Sequence, residues 1–386
     1  MTMLCCFGWL LFFAIASSYD VVVVETFTLP SSSSSWLNIP RIDTDCFHLH
    51  ERPTTVTTAA AATATPHCEE ILYIAGRRAL LLHPKSTTNP PVDYPPLVIL
   101  GGMAQSIASW EFHLHHFAKD RSVLIYECLG QGPFPTEEVC SNAELDTYYD
   151  DVSLERQGSD FWNVVDEAFD NKNDGGKVDV VGFSFGGRVA MAAATLQPNR
   201  IRRLHLTGVG AERDEYANVL LASWKEMLGC TNDSIDSIIM KEKEKEETNN
   251  SKLRAFAWSI ILATYSEQFL ASVGAARVST WVDGVCKFNT YSGLNAILMQ
   301  THGGEGQWTP ASMAEQIKGS VESYKLVVGS NDKMASPDQV LRLVQLLGRE
   351  EENKQDDCYK VIKNCGHAVP FEAMRLWRED VIKYLT

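Results

Sequence analysis

The sequence predicts an α/β fold: a mostly parallel central sheet flanked by helices, with a helical block inserted late in the chain. Three features carry that prediction. Short apolar runs alternate with helical stretches from residue 97 to 210 and again from 323 onward, which is the rhythm of βαβ units. Between them, residues 211–310 hold helical pieces and no convincing strand. Finally, Val178 to Ala190, VDVVGFSFGGRVA, reads as a buried strand, a glycine-bounded turn and a small-residue helix in immediate succession.

Taken in order, Glu70 to Pro84 gives two short strands, ILYIA and RRALLLH, around Gly76-Arg77. A Pro-rich loop follows. LVIL at 97–100 is apolar throughout, as a strand covered on both faces must be. It runs out into Gly101-Gly102-Met103-Ala104-Gln105-Ser106. Ser109 to Ala118 predicts a helix, and Ser122 to Tyr126 a buried strand that exits through Glu127 to Gly132. A helix around Asp160 to Phe169 precedes the central strand, and Ile201 to Leu206 is the strand after it. Past Gly210 the helical pieces are Tyr216 to Leu228, Lys252 to Phe269 and Gly293 to Met299. The charge run KEKEKEETNN at 241–250 marks a solvated helix end or loop. The α/β rhythm returns with a strand at Ser323 to Val328, a helix at Pro337 to Leu347, a strand at Cys358 to Ile362 and a last helix from Phe371 to Tyr384. A helical block inserted in such a sheet is expected to form a lid over the site. The core is then 67–210 with 311–386, and the lid 211–310.

Residues 1–66 are not expected to join the fold. Leu4 to Ala16, LCCFGWLLFFAIA, has the length of a signal peptide and is short for a membrane span. Ala14-Ile15-Ala16 offers an A-x-A cleavage pattern. No Lys or Arg precedes it, so within 1–18 an uncleaved anchor competes with a signal. Residues 19–66 are rich in Ser, Thr and Ala. They resemble the transit half of a bipartite plastid presequence, and also fit a disordered linker. The expected destination is the secretory lumen, the exterior or a plastid. No stable membrane span is expected once a signal is removed.

The net charge of −15 argues against a phosphate-binding surface, so no nucleic-acid partner is expected. The cysteines show no C-x-x-C pair, which disfavours zinc and thioredoxin-like chemistry. An oxidising compartment would permit disulfides involving Cys46, Cys68, Cys358 or Cys365. His113, His115 and His116 form H-x-H-H. His113 and His116 share a helical face, but no acidic or Cys partner is placed near them, and no metal site is expected. Asn232 and Asn249 each begin an N-x-S sequon, relevant only on the secretory route. Trp224, Trp258, Phe269 and Trp281 are expected to pack the lid, with an apolar acyl pocket as the alternative.

The chemistry gathers on Gly182-Phe183-Ser184-Phe185-Gly186, a G-x-S-x-G between strand and helix. Such a turn strains the serine backbone and holds its hydroxyl above the sheet edge, while the flanking glycines relieve backbone crowding. A serine hydroxyl is a poor nucleophile without a base, and the base needs an orienting acid. In strand–turn–helix sites of this kind the chain order is Ser, acid, His. His205 falls inside a strand and His302 in the insertion. His367, in Asn364-Cys365-Gly366-His367-Ala368 after the last strand, is the expected base. Asp332, in Gly329-Ser330-Asn331-Asp332-Lys333, is the expected acid, with Glu212 or Asp214 as alternatives. Asp338 is better explained as an early helix residue. The oxyanion donors are expected to be the N–H groups of Phe185 and Met103. Gly101 and Gly102 bring that loop close to the bound carbonyl, and Gly102 counts as a substrate contact. None of this chemistry needs a cofactor.

The loop at 101–106, GFSFGG, GSND and CGHAVPFE, in that order, resemble the lidded α/β-hydrolase superfamily over about residues 70–386. The resemblance implies that fold and a small-molecule substrate, expected to be an ester or thioester. Gly101 stands where many members carry His, and Glu127 where Asp commonly begins the exit loop; neither is a catalytic group. Arg188, one helical turn beyond Ser184, makes G-x-S-x-G-G-R similar to the menaquinone-pathway lyase of this fold, which eliminates pyruvate from a succinyl-cyclohexene carboxylate. That resemblance implies a substrate-binding Arg188, with Arg254 and Arg277 as the obvious helpers. The plainer expectation is a helix-surface arginine paired locally. Three functions follow: an ester or thioester hydrolase first, the lyase second, and a catalytically silent binding protein third.

Overall fold

The computed structural model describes residues 71–84, 94–133, 147–169, 176–229, 242–301, 306–348 and 358–386. All of them fall within the compact unit Thr58–Thr386. The expected targeting segment, Cys46, Cys68, Asn232 and His302 lie outside the described residues.

Eight strands form one sheet. They are β1 (Ile71–Ile74), β2 (Arg77–Leu82), β3 (Leu97–Leu100), β4 (Val123–Tyr126), β5 (Val178–Phe183), β6 (Ile201–Thr207), β7 (Ser323–Gly329) and β8 (Tyr359–Ile362). Their spatial order is β1-β2-β4-β3-β5-β6-β7-β8. β1 and β2 pair antiparallel as a hairpin, and β2 pairs antiparallel with β4. The strands from β4 across to β8 are mutually parallel. Every residue of β3, β4 and β5 is buried, which is why these runs show no polar alternation.

Helices cover both faces. α1 (Glu111–Phe117) follows β3, α2 (Leu154–Phe169) precedes β5, and α3 (Phe185–Leu196) follows it. The small residues of α3 are fully buried against the sheet and α2, where the Trp162 indole N–H donates to the Ala193 carbonyl at 2.9 Å. Between β6 and β7 lie α4 (Glu215–Met227), α5 (Glu242–Thr264), α6 (Glu267–Val273), α7 (Ala275–Phe288), α8 (Tyr291–Gln300) and α9 (Pro310–Ile317), with no strand among the described residues. The chain closes with α10 (Pro337–Leu346), α11 (Val369–Glu372) and α12 (Met374–Leu385). On α12, Trp377 is fully buried and donates to Thr207 Oγ1 at 2.8 Å, fastening the C-terminus beneath β6.

Several local expectations need correction. The helix expected from Lys252 to Phe269 breaks at Tyr265-Ser266, because the Ser266 hydroxyl accepts from the Phe269 N–H and starts α6. The final helix likewise divides into α11 and α12. α7 is not foreseen from the sequence: Val278, Thr280, Val282 and Gly284 give it weak intrinsic propensity, and burial of Val278 and Val282 supports it instead. The histidines of H-x-H-H do not share a face. His113 is fully buried and its Nε2–H donates to the Pro370 carbonyl at 2.9 Å, while His115 and His116 face outward. Among the described cysteines no disulfide forms. No helix of the described residues is long and apolar enough to cross a membrane.

Candidate active site

Ser184 sits between the end of β5 and the start of α3, with φ of 52° and ψ of −115°. Positive φ is disfavoured for a residue with a Cβ and costs on the order of 1–3 kcal/mol. The surroundings hold it there. The Ser184 N–H donates to the Thr207 carbonyl of the neighbouring strand at 2.8 Å, and α3 begins at the next residue. The flanking glycines are needed because of close backbone approach. A Cβ on Gly186 would lie 2.4 Å from the Leu100 carbonyl oxygen, and one on Gly182 would lie 2.6 Å from the Cα of Gly187.

The structure brings the three expected residues together. Nε2 of His367 is 2.8 Å from Ser184 Oγ, and its Nδ1 is 2.8 Å from Asp332 Oδ2. With Nδ1–H donating to the carboxylate, Nε2 is left to accept the serine proton. Asp332 arrives on the loop after β7 and is held rigidly: its Oδ1 accepts from the Met334 and Ala335 amides at 2.8 Å each. His367 arrives on the loop after β8. Gly208, at the end of β6 with φ of 65°, lies so close that a Cβ there would sit 2.8 Å from the imidazole Cε1. Glu372 braces this loop from behind. Its Oε2 accepts from the Gly366 and Ser266 amides at 3.1 and 3.0 Å, and its Oε1 accepts from the Ser266 hydroxyl. The Ala368 N–H donates to the Thr264 carbonyl at 2.9 Å, so the histidine loop is tied to the α5–α6 junction.

The other acidic and histidine candidates have separate tasks. Asp214 caps α4, accepting from the Ala217 N–H. Glu212 pairs with Arg342 at 3.0 Å. Asp338 lies in the first turn of α10. His205 is fully buried in β6, beside Asp380 at 3.5 Å, and burial pushes its pKa down.

Of the two expected oxyanion donors, Phe185 begins α3 directly after the serine. The loop after β3 is fixed by Gln105, whose Oε1 accepts from the Gly102 N–H at 2.7 Å and the Trp110 indole N–H at 3.2 Å. Gly102 is thereby fixed within its own loop. Its amide is committed to Gln105, and a Cβ there would fall 2.8 Å from the Phe183 ring. Met103, the next amide along, is half-buried. Glu127 is buried and anchors the other side of this loop, its Oε1 accepting from the Arg78 guanidinium at 2.8 Å and the Ile107 N–H at 3.2 Å. Burial, working against Arg78, still raises its pKa.

A cavity of about 460 Å³ opens beside the serine. Ser184, Phe185 and His367 line it together with Trp224, Arg188 and Arg213; neither Gly102 nor Met103 does. Arg188 is not a surface residue: it is 8% exposed, with Nε and Nη1 bonded to no acceptor. Burial, and then the charge of Arg213, lower its pKa to about 9, which leaves it cationic at neutral pH. The helpers expected from the lid are elsewhere, since Arg254 pairs with Asp283 in an exposed ion pair and neither it nor Arg277 lines the cavity. Sequence reading missed Arg213, which no motif singles out. Of the aromatics expected in the lid, Trp224 lines the cavity; Phe269 stacks on Tyr265, and Trp281 lies tilted against it.

A model of the alpha/beta hydrolase family matches residues 97–378. Solved structures similar to this chain include an alpha/beta hydrolase enzyme from a Medee basin deep-sea metagenome library, 18% identical with a TM-score of 0.54, covering 80% of this chain and 94% of that one. The enol-lactonase from Burkholderia xenovorans is 14% identical, with a TM-score of 0.55 and coverage of 83% and 99%. A thermophilic esterase from Thermogutta terrifontis is 11% identical, with a TM-score of 0.54 and coverage of 83% and 98%. At such identities the likeness is one of fold. No curated protein matches the sequence.

Proposed function

The chain belongs to the alpha/beta hydrolase family, and from that premise we propose that it is a serine hydrolase of carboxylic esters or thioesters. The observation that carries this reading is the continuous relay from Asp332 through His367 to Ser184, with both links at 2.8 Å. In acylation, Ser184 Oγ attacks the substrate carbonyl carbon while His367 Nε2 takes the hydroxyl proton. Asp332 stabilises the imidazolium that forms. The carbonyl oxygen becomes an anion held by the N–H groups of Phe185 and Met103; each such donor lowers the barrier by about 3–4 kcal/mol. The imidazolium then protonates the leaving alcohol or thiol as the tetrahedral carbon collapses to the acyl-enzyme. Water, deprotonated by the same histidine, releases the acid and restores Ser184. The helices α4 to α8 act as a lid that screens this exchange from bulk solvent.

Turnover of 4-nitrophenyl butyrate by the wild type and Ser184→Ala tests the reading. A loss on the order of 10⁴-fold or more is expected; equal rates would overturn it.

A second reading, a lyase, is favoured by one observation: a buried cationic Arg188 in the cavity wall. There Ser184 and His367 would act together as a base on carbon rather than as a nucleophile. Release of pyruvate from the succinyl-cyclohexene carboxylate, without hydrolysis of esters, would select it.

A further inference from the structure

Two strand-exit loops are tied to one side chain from the helical block between β6 and β7. Asn289 closes α7, just before α8 begins, and is 5% exposed. Its Nδ2 donates to the Ala104 carbonyl at 3.2 Å and to the Val285 carbonyl at 3.0 Å. Its Oδ1 accepts from the Gly132 N–H at 3.4 Å. A side-chain amide has two donor hydrogens, and here both are used. The loops joined in this way are the one after β3, which carries Met103, and the one after β4.

Ala104 gives this tie its importance. The Gln105 N–H donates to the Gly102 carbonyl at 3.3 Å, closing a turn with Met103 and Ala104 at its centre. Ala104 has a φ of 64°. A turn of this type needs positive φ at its third residue, where glycine is usual and alanine is strained. The Ala104 methyl is nonetheless buried in the core. The Gly102 side of the turn is held by Gln105, from within the loop. The Ala104 side is held by Asn289, from the helical block. Without that bond Ala104 can return to negative φ, the Met103–Ala104 peptide turns over, and the Met103 N–H loses its aim.

Resting on the serine-hydrolase reading, with Met103 as an oxyanion donor, we propose that Asn289 is a positioning residue for the oxyanion hole. It does not line the cavity. It holds Ala104 in its strained form and so fixes the donor beside it. The oxyanion site at the sheet edge thereby depends on the helical block. A plain helix cap, made through Val285 alone, would support stability and leave the chemistry unchanged.

The test compares 4-nitrophenyl butyrate with O-(4-nitrophenyl) thionobutyrate, in which sulfur, a weak acceptor, replaces the carbonyl oxygen. The wild type should strongly prefer the oxygen ester. Asn289→Ala should lower kcat on that ester by about tenfold to a hundredfold, with KM changed less than about threefold. Thionoester turnover should fall much less, so that the oxygen-to-sulfur ratio shrinks by about tenfold. Adding Ala104→Gly, which needs no restraint at positive φ, should restore part of the ratio. Where Asn289→Ala fails to fold, Asn289→Ser carries the same comparison. Equal losses on both esters, an unchanged kcat, or a ratio that Ala104→Gly leaves untouched would overturn the inference. If the wild type turns over neither ester, the hydrolase reading fails separately. Hydrogen exchange of a peptide spanning residues 101–106 then decides the tie: faster exchange in Asn289→Ala supports it, and equal exchange overturns it.

Discussion

Asp332 and His367 meet at 2.8 Å across 35 residues of chain, and both oxygens of the carboxylate are committed. Oδ2 takes the imidazole Nδ1–H, while Oδ1 takes two backbone amides of its own loop. The acid therefore sets the tautomer of the base and is itself immobile. Asp332→Asn preserves the shape but offers an amide N–H where an acceptor is required. It should lower kcat on short esters by about 10²–10⁴-fold, with KM changed less than about threefold. Steady-state kinetics check this; a loss under tenfold would remove Asp332 from the relay.

Gly208 shapes the other side of the imidazole. Its φ is 65°, and a Cβ added there would lie 2.8 Å from His367 Cε1, which leaves no room for alanine. Gly208→Ala should push the ring away from Ser184. The expected result is a fall in kcat of about tenfold or more, because misplacement of about 1 Å is costly in catalysis. Burst kinetics would place the loss in acylation.

The fold class was legible because the buried strands are unbroken apolar runs and because the serine turn needs glycines on both sides. The relay was legible because its members follow the strand ends in a fixed order. The cavity wall was not. Arg213 lies on a loop whose spacing carries no periodic signal, and its nearness to Arg188 depends on how β6 exits toward α4. That Gly102 packs against Phe183 and Gln105 depends on tertiary contacts that no local pattern carries. Glu372 lay inside a recognised motif, yet its role depends on Ser266, 106 residues away.

Glu372 gathers the Gly366 and Ser266 amides and the Ser266 hydroxyl on one carboxylate. Glu372→Ala leaves these donors without their acceptor, at a cost of about 1–3 kcal/mol for each one that stays buried. A lower melting temperature is expected, by several degrees or about 2–4 °C per kcal/mol. The loss of esterase kcat should exceed what the unfolded fraction explains, because the histidine loop is released from the α5–α6 junction. Calorimetry and kinetics on one preparation separate the two effects.

Acid should destabilise the fold through His113. Burial, outweighing its bond to the Pro370 carbonyl, lowers its pKa to about 3. The folded state keeps the ring neutral while the unfolded chain takes up a proton near pH 6.5. Stability is therefore unaffected above about pH 6.5 and is lost as pH falls from there toward 3, by up to about 1.4 kcal/mol per unit. His113→Gln, which keeps a donor but does not titrate, should flatten that slope by about one proton in urea unfolding series.

The central claim is that Ser184 is a nucleophile activated by His367. Its most direct measurement is labelling of the intact protein with a fluorophosphonate probe, read by peptide mass spectrometry. The adduct should map to Ser184 and vanish in Ser184→Ala, and it should form at least about a hundredfold more slowly in His367→Ala. A wild-type protein that stays unmodified, or one labelled equally fast without His367, would contradict the account.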